Sequence, residues 1–152
     1  MGLFGIGKKK EESQPGLSDE VKSMHRRRAY DIANDEGEEG GFHNAGIYLE
    51  DLGVLHNDVG LLHNAMDHYK NADDGSPESL DCRIRLAGEI GDNESVHQLH
   101  CMKATRMANA GDGIGAAKYL ESLGYLKEAF AQYKDAGSVK DMIRVQTILE
   151  GE

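Results

Sequence analysis

The chain has little of what most function classes require. Its 152 residues include no tryptophan, two prolines and two cysteines. No window approaches the ~20 apolar residues of a membrane-spanning helix. Cys82 and Cys101 form neither a dense secreted framework nor a Cys-x-x-Cys pair, so a reducing, cytoplasmic setting is expected. The apolar part of the opening MGLFGIGKKK is too short for an export signal, and Ile6 stands where an acylation motif needs Ser or Thr. No glycine loop followed by Lys and Ser or Thr is present, so phosphate cradling has no support. Alternation of Val, Ile, Thr and Tyr never runs for five residues, which argues against strands.

What is there is charge, glycine and apolar residues at helical spacing. A chain of 16.6 kDa with 39% hydrophobic and 29% charged residues fits one globular domain with a core of modest size. The charge is unevenly placed: residues 1–28 hold seven Lys and Arg against four acids, and 29–152 hold ten against twenty-three. Such a body should repel nucleic-acid phosphates and anionic lipid, so no nucleic-acid partner is expected. Lys8 to Lys10, beside a short apolar patch, would add roughly 1 kcal/mol of lipid affinity per charge, too little for stable membrane contact.

Apolar residues recur at three and four, and glycine-rich or acidic breaks separate the runs. The spacing predicts helices near 18–35, 43–58, 61–73, 77–90, 93–109, 114–123, 126–136 and 138–149. Ser76-Pro77-Glu78 reads as a cap followed by proline at the first helical position, and Ser138 with Asp141 as a weaker capping box. Residues 1–16 read as a flexible basic tail, 17–152 as the helical-repeat domain, and Asp35 to Gly41 as a solvated acidic loop. The side chains expected inside are Leu52, Leu55, Ala65, Tyr69, Ala72, Ile84, Ala87, Val96, Ala104, Leu120, Ala129, Tyr133, Ala136 and Ile143.

The sequence also resembles itself. Ser18 to Asn34 superposes on Asn93 to Asn109 without a gap, placing Val21 on Val96, Met24 on Leu99, His25 on His100 and Ala29 on Ala104. Tyr48-Leu49-Glu50 with Leu52-Gly53 recurs as Tyr119-Leu120-Glu121 with Leu123-Gly124. Two halves therefore share one helical plan. Inside that plan, Gly60 leads to Ala65, Tyr69 and Ala72 at the spacing by which Gly124 leads to Ala129, Tyr133 and Ala136. Gly60, Gly91 and Gly124 read as helix-ending glycines about one helical hairpin apart. The Tyr-Leu-Glu match implies an offset of 71 and the glycine match one of 64. Seven residues are two helical turns, so the helix near 43–58 is expected to be two turns longer than its counterpart.

On these residues the chain resembles the tetratricopeptide repeat family. Between 46 and 79, Leu49, Leu52, Gly53, His56, Gly60, Ala65, Tyr69, Ala72 and Pro77 fall at the family's signature spacing, with Leu49 where Trp is usual. A hairpin through Gly91 is degenerate, and a third keeps Ala116, Ala117, Leu120, Gly124, Ala129, Tyr133 and Ala136. The resemblance implies an all-α fold, an α-solenoid of about three to four antiparallel hairpins. It also implies a scaffold that binds protein.

Catalytic signals are weak. His97, His100 and Cys101 share part of one helical surface with Cys82 on the neighbouring helix, so a zinc site can be drawn, but no closed four-ligand set is present. His25 and His100 stand where Tyr69 and Tyr133 stand relative to their glycines, and read as packing residues. Ser95 beside Glu94 and His97 fits capping in a first helical turn rather than catalysis. No enzyme activity, cofactor or metal is expected.

The expected function is therefore a non-enzymatic protein-interaction module. Placing the first helix of each hairpin along the concave side, as the resemblance implies, lines a groove with Ile47, Glu50, Val54 and Asp58, then Glu78, Asp81, Arg85 and Glu89, then Ile114, Lys118 and Glu121. Acids outnumber bases there, so the expected partner is a basic or amphipathic peptide or helix of another protein. The family's carboxylate clamp is not matched, because it needs Lys and Asn where Glu50 and Val54 stand. The alternatives are a structural subunit forming a homo-oligomer through its end helices, or a peripheral membrane adaptor using the basic tail.

Overall fold

The computed structural model describes residues 16–35 and 40–151. The basic tail through Pro15 and the centre of the acidic loop, 36–39, lie outside the described residues. Among the described residues, eight α-helices follow in order: α1 Asp19–Ala33, α2 Gly41–Leu55, α3 Val59–Asn71, α4 Asp81–Ile90, α5 Asn93–Asn109, α6 Gly113–Ser122, α7 Leu126–Asp135 and α8 Val139–Gly151. A short 3-10 turn, Glu78–Leu80, leads into α4. The described residues contain no strand, and none of their helices is long and apolar enough to cross a membrane.

Local chemistry sets most helix ends. Side chains of Ser18, Asp58, Asp92 and Asp112 accept from the first-turn amides of α1, α3, α5 and α6. Ser76 Oγ accepts from Ser79 N at 3.2 Å, so the expected cap is present but opens a 3-10 turn. Ser138 Oγ donates to Asp141 Oδ2 at 2.7 Å, so this pair meets side chain to side chain rather than as a reciprocal box. At the other ends, Gly91 and Gly124 take left-handed φ of 83° and 80°. Gly60 does not: it sits in the first turn of α3, and Asn57 at φ 49° turns the chain out of α2. The glycine match across 60 and 124 therefore joins residues with different roles.

Each helix packs mainly on its sequence neighbours, and α1 also touches α3. The interior divides into three cores. The first gathers Ala29 and Ala33 of α1, Ala45 and Leu49 of α2, Leu61, Leu62, Ala65 and Tyr69 of α3, and Leu86 of α4. The second gathers Ala104 of α5, Ala116, Ala117 and Leu120 of α6, Ala129 and Tyr133 of α7, and Val145 of α8. The third lies between α4 and α5 and holds Leu80, Ala87 and Leu99.

The first two cores repeat one pattern. Ala29 answers Ala104, Ala45 answers Ala116, Leu49 answers Leu120, Ala65 answers Ala129, Tyr69 answers Tyr133, and Leu86 answers Val145. The chain is thus two four-helix units in tandem, α1–α4 and α5–α8. Alanines let the helices approach closely and the rings fill what remains. The seven-residue conflict resolves as one turn on each arm: α2 runs to Leu55, seven beyond Tyr48, and α6 to Ser122, three beyond Tyr119. Tyr69 is correspondingly three residues further into α3 than Tyr133 into α7.

Three expected core residues are exposed. Leu55 is 64% exposed, because it ends α2 at the tip of the longer hairpin. Ala136 caps α7 at the surface. Ile143 lies on the outer face of α8, with nothing among the described residues packed over it. Leu52, Ala72, Ile84 and Val96 are half-buried, and the other seven expected residues are buried.

Candidate functional site

The two units hold equivalent polar networks. In the first, Glu50 lies in the middle of α2, 7% exposed. Tyr69 Oη of α3 donates to its Oε2 at 2.5 Å, while Arg85 of α4 donates from Nε at 3.1 Å and from Nη2 at 2.7 Å. In the second, Tyr133 Oη of α7 donates to Glu121 Oε2 at 2.7 Å, and Arg144 of α8 donates through both Nη atoms at 2.5 and 2.8 Å. Each carboxylate thus ties three helices together. A third equivalence joins α1 to α2 and α5 to α6: His25 Nδ1 shares a hydrogen bond with Tyr48 Oη at 2.6 Å, and His100 Nδ1 with Tyr119 Oη at 2.5 Å.

These partners shift the titrations. The Arg144 bonds hold Glu121 down to about 2 despite partial burial, with Tyr133 assisting. Burial would raise Glu50, but the bonds from Arg85 and Tyr69 outweigh it and the net shift is downward. Burial and the Glu121 bond push Tyr133 up to about 12, and Tyr69 rises for the same reasons beside Glu50. Both glutamates therefore stay ionised and both tyrosines protonated at neutral pH, which holds each ion pair in place.

The residues proposed to line the groove fall into two groups. Glu50 binds Arg85 and Glu121 binds Arg144, as above. Asp58 caps α3 and lies 2.7 Å from Lys22 Nζ, and Asp81 accepts from Lys103 Nζ at 2.6 Å. Four of the six acids are thus engaged by this chain's own bases. Ile47, Val54, Ile114, Glu78, Glu89 and Lys118 are exposed. Lys118 and Glu121 share an open depression with Asp141 and Arg144. Sequence reasoning missed Arg144 and the tyrosine partners. The recurrence of Tyr-Leu-Glu, a later Tyr and then an Arg in each half was the available signal.

A further cluster was missed as well. Arg106 of α5 binds Asp73 through Nη1 and Nη2 at 2.7 and 2.6 Å, and also reaches Ser76 O and Ser79 Oγ. The Arg106 bonds hold Asp73 far below the usual carboxylate range. This clamp fixes the α3–α4 connection to α5 and so locks the two units together.

The zinc arrangement drawn from the sequence does not assemble. Donor atoms of His97, Cys101 and Glu128 lie within 4.8 Å of one another, but His100 turns to Tyr119 and Cys82 is not among the group. His97 Nε2 is already 2.8 Å from Glu128 Oε1, and burial with the Glu128 charge raises the Cys101 thiol, disfavouring a thiolate ligand. In the other unit the same place is bridged without metal-ligating side chains, by Arg26 Nε to Asn64 Oδ1 at 2.7 Å. The cluster's fit is to a polar bridge between α5 and α7. Comparison with protein-family models, curated proteins and solved structures finds no match for this chain.

Proposed function

We propose that the protein is a non-enzymatic interaction module: an α-solenoid of antiparallel hairpins, similar to tetratricopeptide repeats, that binds a basic or amphipathic segment of another protein. The observation that carries this reading is the solvent-exposed face of α2. Ile47 and Val54 lie two turns apart and exposed, with exposed Asp51 between them. An apolar stripe interrupted by an acid suits an amphipathic helix whose polar edge is basic. Because Glu50 and Glu121 are engaged internally, exposed apolar contact supplies the affinity and Asp51, Glu78 and Glu89 set orientation.

Titration with paired amphipathic helical peptides, identical on the apolar face but basic or acidic on the polar face, tests this. The basic peptide should bind, and Ile47→Arg with Val54→Arg should weaken it at least tenfold without loss of helicity. Equal binding of the acidic peptide, or no effect of the double substitution, refutes the reading.

A further inference from the structure

Two apolar faces, on α1 and α8, are uncovered among the described residues, and the internal duplication shows how their equivalents are covered. α4 closes the first unit and α5 opens the second. Between them Leu80 of the 3-10 turn and Ala87 of α4 meet Leu99 of α5, with Ile84 and Val96 packed alongside. α8 is the counterpart of α4: Arg144 answers Arg85 and Val145 answers Leu86, which puts Val139 and Ile143 at the places of Leu80 and Ile84. Leu80 is wholly buried, whereas Val139 is 59% and Ile143 55% exposed.

The other end matches. α1 is the counterpart of α5, with Val21 and Met24 at the places of Val96 and Leu99. Leu99 is buried, and Met24 is 55% exposed. One end of the molecule therefore carries the α4 half of the internal junction, and the opposite end carries the α5 half. We propose that α8 of one copy packs on α1 of the next as α4 packs on α5, joining copies of this chain head to tail.

Such an interface is heterologous: the two surfaces differ, each copy has one of each, and association continues into an open chain unless the rotation closes a ring. It uses the end faces, not the α2 stripe, so it stands independently of the peptide-binding reading. The rim chemistry makes it weaker than its internal template. Asp81 and Lys103, paired at 2.6 Å, are answered by Lys140 and Arg28, which repel. The Asp73–Arg106 clamp is answered by Gly137 and Asp31, so Asp31 is the acid left to offset Lys140. Val139, Ile143, Val21 and Met24 keep four apolar places of the junction, Gln146 replaces the buried Ala87, and the ion-pair clamp is lost, which gives association that depends on concentration.

Sedimentation velocity over a micromolar to near-millimolar series tests the proposal. The average mass of the wild-type chain should rise with concentration. Ile143→Glu and Met24→Glu alter exposed side chains, and each should leave a monomer with an unchanged melting curve. Mixed together, the two variants should form a dimer that grows no further, because each keeps one intact end. Lys140→Asp should tighten wild-type association by up to about fivefold, since the new carboxylate faces Arg28 with Arg27 beside it and only Asp31 opposing. A wild-type chain that stays monomeric overturns the proposal. So does a variant mixture that stays monomeric, or association abolished by Ile143→Glu but not by Met24→Glu, which would mean that α8 pairs with itself. Should a glutamate variant lose helicity, Lys140→Asp remains decisive, and absence of tightening counts against the head-to-tail contact.

Discussion

The two units place the same side chains in the same roles on scaffolds of different length. The first has a longer connection before α2, an extra turn on each arm of the α2–α3 hairpin, and a 3-10 turn before α4. The second closes the corresponding steps with short turns. Even so, the Tyr–Glu–Arg network and the His–Tyr bond recur with closely similar distances. What defines the unit is the set of buried contacts, while the connections differ in length between the two units. The units also differ inside. A Cβ on Gly46 would lie 2.6 Å from the Tyr69 ring, whereas the equivalent place in α6 is Ala117, fully buried. Tyr69 and α2 thus sit closer than Tyr133 and α6 can.

The largest effect should come from truncating the rings that the units share. Tyr69→Ala and Tyr133→Ala should each cost about 3–5 kcal/mol in chemical denaturation, since both rings fill their cores and satisfy a carboxylate. If one cost less than about 1 kcal/mol, the two networks would not be equivalent. A smaller effect separates the units. Gly46→Ala should destabilise by about 1–3 kcal/mol through overpacking on Tyr69, and Ala117→Gly by about 1–2 kcal/mol through lost helix propensity and a lost buried methyl. Gly46→Ala that stabilises would show that the first unit has no closer approach.

The smallest effect is in pH. Glu121 titrates at about 2 in the folded chain against an ordinary 4.5, so the unfolded chain takes up its proton first as pH falls. Its contribution is fully present above about 4.5 and is lost as pH falls towards about 2. Wild type should therefore lose up to about 1 kcal/mol over that window relative to Glu121→Gln, the pair being partly open to solvent. Parallel melting curves of the two proteins through the window would rule this out.

Much of the local structure was written in the sequence. Helix positions agree to within a few residues because apolar spacing and caps act over three or four residues. The duplication was visible because its buried alanines, tyrosines and leucines have to recur for the packing to recur. The hairpin tip was not visible: Leu55 has the spacing of a core residue, and only the position of α2 relative to α3 exposes it.

Sequence alone determined that the chain is helical, that it repeats, and which small and aromatic residues fill each unit, since these depend on local periodicity and volume. Tertiary structure decided which charges are free. Glu50 looks like one more surface acid until α4 brings Arg85 to it across 35 residues, and Glu121 until α8 brings Arg144 across 23. Tertiary structure decided likewise that Leu80 is covered and Val139 is not, although both hold the same place in the repeat. The physical reason is common to both cases: burial and ion pairing depend on which helix comes next in space, and helical periodicity carries no information about that neighbour.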